Sequence, residues 1–211
     1  AIAWQGDILP GVDRMSMQLP IAAQSGTAVT GLVRCEYIVD RENVVSMPLS
    51  GNDFTHSYPA AALDTRSARF TRREYTGDEG QPIAPEAWQF ARADANGKPV
   101  ASATHCLLPE GFRPGWIYEL VYTAKDPLVL GLGFSAVRDF LSWLRYETHD
   151  AAGAVNPHKT DSGAIERVYG WGRSQSGRFL REFVYRGWNE DGKGRRVFDG
   201  VHPHVTGAGR L

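Results

Sequence analysis

The sequence predicts an α/β fold in which parallel strands with crossover helices follow a β-rich N-terminal region. Three observations carry that expectation. Beyond residue 115 the pattern runs strand, helix, strand, helix, strand, the grammar of a parallel sheet. Before it, about a hundred residues show short alternating strands and turn formers with no helical period. Finally, Arg167-Val-Tyr-Gly-Trp-Gly-Arg-Ser-Gln-Ser-Gly-Arg-Phe-Leu180 reads as a short strand, a tight turn and a helix. The expected division is residues 1–98 for the β-rich region and 99–211 for part of an α/β core.

Residues 1–26 carry turn formers at Pro10-Gly11 and Ser25-Gly26 and no clear element. From Thr27 to Asp40 the residues Val33, Cys35, Tyr37 and Val39 alternate with Arg34, Glu36 and Ile38, a strand period. Val44 to Leu49 is a second strand, ended by the Ser50-Gly51-Asn52-Asp53 turn; Ala68 to Tyr75 and Ala87 to Ala93 are two more. Asn96-Gly97 is a two-residue hairpin signal linking Trp88–Ala93 to Val100–Leu108. Leu107 to Gly115, with Pro109, Gly111 and Pro114, reads as a turn-rich connector.

Trp116 to Thr123 is nearly continuous in apolar residues, interrupted by Glu119, as in a buried parallel strand. Gly133 to Glu147 is an amphipathic helix, with Val137, Phe140, Leu141 and Leu144 on one side and Arg138, Ser142 and Arg145 on the other. A polar loop spans Thr148 to Gly163. The helix Gly177 to Arg186 is expected to bury Phe179, Leu180, Phe183 and Val184. Arg178–Glu182 and Glu182–Arg186 pairs would lie along it. Val197 to Val205 is a last strand.

The chemistry concentrates at the turn after Trp171. Gly172, Ser174 and Ser176 form a small-x-Ser-x-small pattern, the nucleophile-elbow spacing with Ser in place of the last Gly. A serine lifted out of a strand-to-helix turn sits on strained backbone, so its flanks must be small. The helix that follows aims free N–H groups at the site where an oxyanion would form. Ser174 is therefore the candidate nucleophile and the Gln175 N–H the candidate oxyanion donor. Registering the motif on Ser176 instead would require Arg178 to be a small flank, which it is not.

Composition is that of an ordinary globular chain: 211 residues, 42% hydrophobic, 22% charged, net charge −1. Nothing in that balance favours nucleic acid or an anionic membrane as partner, and no apolar run approaches a membrane span. Cys35 and Cys106 are either one bridge in an oxidising compartment or, as expected here, two buried thiols. Cysteine usage does not settle the compartment. The chain starts at Ala1, which fits a removed leader or a start inside a longer gene.

Several blocks, in order, resemble a bacterial branch of the α/β-hydrolase superfamily whose members are described as alpha/beta hydrolase domain proteins. They are Leu108-Pro-Glu-Gly-Phe-Arg-Pro-Gly, Ile117-Tyr-Glu-Leu-Val-Tyr-Thr-Ala-Lys-Asp-Pro, Gly131-Leu-Gly-Phe-Ser-Ala-Val-Arg-Asp-Phe, Gly172-Arg-Ser-Gln-Ser-Gly-Arg-Phe-Leu-Arg and Phe198-Asp-Gly-Val-His-Pro-His-Val-Thr-Gly-Ala-Gly-Arg. The resemblance is close over residues 100–211 and loose before them. It implies a serine hydrolase acting on a small-molecule ester or related acyl bond, with no metal or organic cofactor. It places the nucleophile at Ser174, half of the oxyanion hole at the Gln175 N–H, and the second donor on the backbone of Ala124 or Lys125.

In that superfamily the triad runs Ser, acid, His. Only one helix and one strand pattern follow Ser174, so the acid and the histidine are expected outside this chain, on a C-terminal segment or a second polypeptide. His204, near the end of the last strand, is either a local base or a pocket-lining residue, and His202 and Arg173 are candidates for substrate contact. His202-Pro-His204 also imitates a metal-binding pair, but the further ligands such a site needs do not follow it, so no metal is expected. The rival reading is a non-catalytic fragment or binding module that pairs with a partner chain through an exposed sheet edge.

Overall fold

The computed structural model describes residues 19–52, 55–159 and 165–209, together with the backbone of 4–5 and 15–16. The Pro10-Gly11 turn, Asp53 and the end of the loop expected over 148–163 lie outside them. The chain divides into two compact units, Ala1–Val129 and Leu130–Leu211.

The first unit is built of β-strands. Short Trp4–Gln5 (β1) and Met15–Ser16 (β2) pair in parallel, and Ala23–Gln24 (β3) pairs with Thr27–Ala28 (β4). Thr30–Ile38 (β5), Val44–Pro48 (β6), Arg69–Arg73 (β7), Gln81–Pro82 (β8) and Ala91–Ala93 (β9) follow. Pro99–Ala101 (β10), His105–Phe112 (β11) and Ile117–Lys125 (β12) complete it. The main sheet has the order β5-β12-β7-β8, with β11 on β6 and β10 on β9 as separate pairs.

Three expectations change here. β12 is antiparallel to both β5 and β7, so it belongs to the β-rich unit rather than to a parallel sheet. The boundary expected at residues 98/99 thus falls inside the first unit, which runs on to Val129. The reading of β12 as a parallel strand went astray because both of its faces are covered, though not by helices. Inward, Tyr118, Leu120 and Tyr122 pack with Tyr37, Phe70, Trp88, Phe90 and Phe112, and Phe70 lies 5.2 Å from Trp88 by ring centroids. Outward, Glu119 is enclosed by arginines from both neighbouring strands, Arg34 at 2.7 Å and Arg69 at 2.8 Å. The Arg34 hydrogen bond, with Arg69 behind it, holds the Glu119 carboxyl below its ordinary range.

The turn-rich connector at 107–115 is largely strand. β11 pairs with β6 at His105–Leu107, slips, and rejoins it at Phe112 opposite Val44. The slip absorbs Pro109 and Gly111 (φ 84°), the two residues that made the segment read as a connector. Cys35 and Cys106 are both free thiols, and burial pushes Cys106 up to about 12.

The second unit contains Leu132–Tyr146 (α1), Tyr169–Arg173 (β13), Gln175–Tyr185 (α2) and Gly200–His204 (β14). β13 and β14 pair in parallel across α2, the crossover unit the pattern predicts. Val137, Leu144, Leu180, Phe183, Val197 and Phe198 are its buried apolar residues. Phe134 of α1 stacks on Phe179 of α2 at 4.8 Å, and Phe183 meets Phe198 edge to face. On α1, Ser142 is buried rather than solvent-facing, and on α2, Val184 is exposed. The Glu182–Arg186 pair forms at 3.1 Å, but Arg181 replaces Arg178 as the second partner of Glu182. No helix among the described residues is long and apolar enough to cross a membrane.

One turn design occurs three times, at Asp94-Ala-Asn-Gly-Lys, Asp150-Ala-Ala-Gly-Ala and Asp191-Gly-Lys-Gly-Arg. In each, the aspartate side chain accepts the N–H groups two and four residues on, and the fourth residue is a glycine at positive φ. The Asn96-Gly97 hairpin is therefore wider than two residues: Asp94 N–H donates to Lys98 O and β10 starts at Pro99. At Asp191, burial alone would raise the carboxyl pKa. The Arg195 and Lys193 N–H groups and the Arg195 guanidinium outweigh burial and bring it down to about 2. A depressed carboxyl stabilises the fold above its unfolded pKa and loses that contribution as pH falls through the folded value. Asp191→Asn is therefore expected to lower stability at pH 7 by about 1–2 kcal/mol. The gap should close between pH 4 and pH 2, read by urea unfolding at both ends. A gap that stays constant with pH would exclude the ionised carboxylate as its source.

Candidate active site

β13 ends at Arg173, and α2 begins at Gln175, so the whole reversal is made at Ser174. Its backbone has φ 55° and ψ −116°, outside the regions open to a residue with a Cβ, at a cost of roughly 1–3 kcal/mol. Two contacts hold it there. The Ser174 N–H donates to His204 O at 2.9 Å, and Ser174 O accepts the Arg178 N–H at 2.9 Å, starting the helix.

The elbow closes only because of glycine. A Cβ on Gly172 would lie 2.4 Å from Ser176 O and 2.8 Å from Gly177 N. A Cβ on Gly177 would lie 2.7 Å from Gly172 O and 2.8 Å from His204 O. The small flank on the helix side is therefore Gly177 rather than Ser176, whose side chain faces solvent. Sequence reasoning assigned that role one residue early, although Gly177 stood next in the motif.

Ser174 is exposed, as are Gln175, Arg173, His202 and His204. Gln175 is the first residue of α2, so its N–H has no intrahelical acceptor and points with the helix's positive end. His204 lies opposite Arg173 in the parallel register and His202 opposite Trp171, and the two imidazoles meet edge to face at 6.0 Å. Among the described residues no side chain hydrogen-bonds the Ser174 hydroxyl. What joins His204 to Ser174 is its carbonyl, a role that residue type alone could not signal.

Asp199 is not beside Ser174. It precedes β14, at the opposite end of the pair from Ser174, and accepts Val168 N–H at 2.9 Å and pairs with Arg145 at 2.9 Å. Those partners, Val168 first, keep its carboxyl below the usual range. Ala124 and Lys125, the candidates for the second oxyanion donor, belong to β12 in the first unit. The Lys125 N–H is committed to Pro59 O at 2.9 Å, and Ala124 stands inside the ladder, paired with Gly31 and bridged to Ala60. Neither is the free loop amide that an oxyanion hole requires. Among the described residues no group of three or more His, Cys, Asp or Glu is placed to hold a metal ion.

A serine on strained backbone between a parallel strand and a helix defines the hydrolase-like α/β class. The family comparison agrees: the model described as alpha/beta hydrolase domain matches residues 101–211, just over half of the chain. The chain belongs to the alpha/beta hydrolase domain family. No curated protein and no solved structure matches it. The match begins in β10, so the family's block takes in β11 and β12 as well as the second unit.

Proposed function

We propose that the protein is a serine hydrolase that cleaves a carboxylic ester through an acyl-enzyme on Ser174. The observation that carries this reading is the backbone of Ser174, φ 55° and ψ −116°, in an elbow that two glycines alone allow. Strained backbone held in place by the surrounding structure clusters at active sites, which supports this reading of Ser174. In the first step Ser174 Oγ bonds to the acyl carbon and the carbon–oxygen bond to the alcohol breaks. The serine proton leaves with the alcohol, and the Gln175 N–H supports the transient oxyanion. Water then adds to the acyl carbon, releasing the acid and restoring the hydroxyl. The general base and its acid partner come, in this reading, from outside the described residues. Arg173 and His202 border the substrate.

The test is a fluorophosphonate, which forms an O–P bond to an activated serine and expels fluoride. A single adduct mapping to Ser174, absent in Ser174→Ala, is the expected result. Ester hydrolysis should fall by at least about a thousandfold in Ser174→Ala. Full esterase activity in that variant would sink the proposal.

A second reading rests on the β13–β14 pair, whose strands are each paired on one side only among the described residues, with Tyr169 and Trp171 exposed at 72% and 66%. It makes the chain a module that pairs with a partner through this sheet. Labelling of Ser174 that is lost in Ser174→Ala would exclude a purely non-catalytic role for the chain.

A further inference from the structure

The carboxyl end of the parallel pair carries one group of side chains whose chemistry the nucleophile does not use. Paired residues of adjacent strands share a face, so Trp171 with His202, and Arg173 with His204, stand together on the side away from Gly170 and Gly172, the latter two being buried. All four are exposed.

Nothing among the described residues neutralises Arg173. Elsewhere in the unit Arg145 is engaged by Asp199, Arg181 by Glu182 and the Gly207 carbonyl, and Arg195 by Asp191 and Glu147, whereas Arg196 is unpaired like Arg173 but lies away from the elbow, before β14. The guanidinium of Arg173 makes no hydrogen bond, ion pair or ring contact with any described residue. The carboxylates of the flanking elements are already spent, Glu182 on Arg186 and Arg181, Asp199 on Arg145. Charge in the chain is also divided. Residues 130–211 hold 12 Lys and Arg against 9 Asp and Glu, whereas residues 1–129 hold 11 against 15. The nucleophile thus sits in the basic half, one residue from a free guanidinium.

Resting on the reading of Ser174 as the nucleophile, we infer that the ester carries a free carboxylate and that Arg173 receives it. A guanidinium offers two parallel N–H donors that match a carboxylate, and it stays charged at any working pH. Consecutive Cα atoms are about 3.8 Å apart, so this carboxylate lies a short chain from the scissile carbonyl, as in the half-ester of a dicarboxylic acid. Trp171 and the His202 imidazole flank the connecting chain. The substrate class is an anionic, carboxylate-terminated ester.

Two matched fluorophosphonates test this, one with a neutral short alkyl chain and one whose chain ends in a carboxylate. The rate of Ser174 adduct formation is read by intact mass. In the wild-type chain the carboxylate probe should react about tenfold faster at low ionic strength, the gain a charge-assisted hydrogen bond supplies. That ratio should shrink as salt is added. It should fall to about one in Arg173→Gln and recover in part in Arg173→Lys. Equal rates for the two probes in the wild type, or a preference that survives Arg173→Gln, overturns the assignment while leaving the nucleophile in place. If the neutral probe leaves Ser174 unmodified when the chain is assayed together with the segment or polypeptide that supplies its base, the nucleophile itself is refuted and this assignment falls with it.

Discussion

Gly172→Ala is expected to cost about 3 kcal/mol or more and to abolish labelling of Ser174. A Cβ at that position would lie 2.4 Å from Ser176 O and 2.5 Å from Ser176 C. Both are backbone atoms at the start of α2, so no side chain can swing away to make room. Relief requires β13 and α2 to separate. Separation opens the turn that holds Ser174 at positive φ and breaks its hydrogen bond to His204 O. Overpacking in a closed site costs 1–3 kcal/mol when side chains can adjust, and more when the clash is with backbone. Gly177→Ala should behave alike, since its Cβ would press on Gly172 O and His204 O together. Ser176→Ala, at an exposed position, should leave stability within about 0.5 kcal/mol. Urea unfolding followed by tryptophan fluorescence gives the stability, and fluorophosphonate labelling gives the geometry. Wild-type behaviour of Gly172→Ala in both would mean that strand and helix are not pressed together at the elbow.

Asn156→Ala should cost about 3 kcal/mol, although Asn156 lies in a loop. Its side chain is fully buried and its amide donates to Trp143 O, Leu144 O and Glu147 O, at 3.0, 2.9 and 2.8 Å. Its Oδ1 accepts the His158 N–H at 2.9 Å. The last carbonyls of a helix have no partner within it, so α1 ends on donors supplied from the following loop. Lys159 extends the same arrangement to Arg145 O and Tyr146 O. Trp143 O keeps the Glu147 N–H, but alanine would leave Leu144 O and Glu147 O without the Asn156 donor, at about 1–3 kcal/mol for each group left unpaired. Asn156→Asp should be worse than alanine at neutral pH, because a carboxylate would then face three carbonyl oxygens. Hydrogen exchange at the last turn of α1 and a urea midpoint check both. An Asn156→Asp variant more stable than Asn156→Ala would show that the amide donors are not what holds the helix end.

The second unit was legible in the sequence where its signal is periodic. α1 begins and ends within a residue of its expected span, and α2 follows β13 as the pattern requires. Ser174 stood out because spacing, strand and helix all bear on one residue. What the sequence hid falls into two kinds. Glu119 makes β12 look like an interrupted apolar strand, whereas arginine stems from β5 and β7 cover that face and the strand is antiparallel. Period alone cannot tell a face covered by arginines from a face covered by helices. The other kind is backbone chemistry: the His204 carbonyl on Ser174, the Lys125 amide on Pro59 and the α1 carbonyls on Asn156. Such contacts depend on where a residue lies in space, and its side-chain identity barely reports them.

The bond from Ser174 N–H to His204 O has a bearing on how the chain is made. The acceptor is thirty residues later in the sequence than the serine it restrains. During synthesis at about 5–20 residues per second, Ser174 is therefore extended from the ribosome for roughly two to six seconds before its restraint exists. Through that interval the turn can relax to ordinary backbone and the hydroxyl is an unremarkable one. Ser174 takes up its strained backbone only when β14 docks against β13, so on the proposed reading its reactivity would arrive together with the completion of this part of the fold.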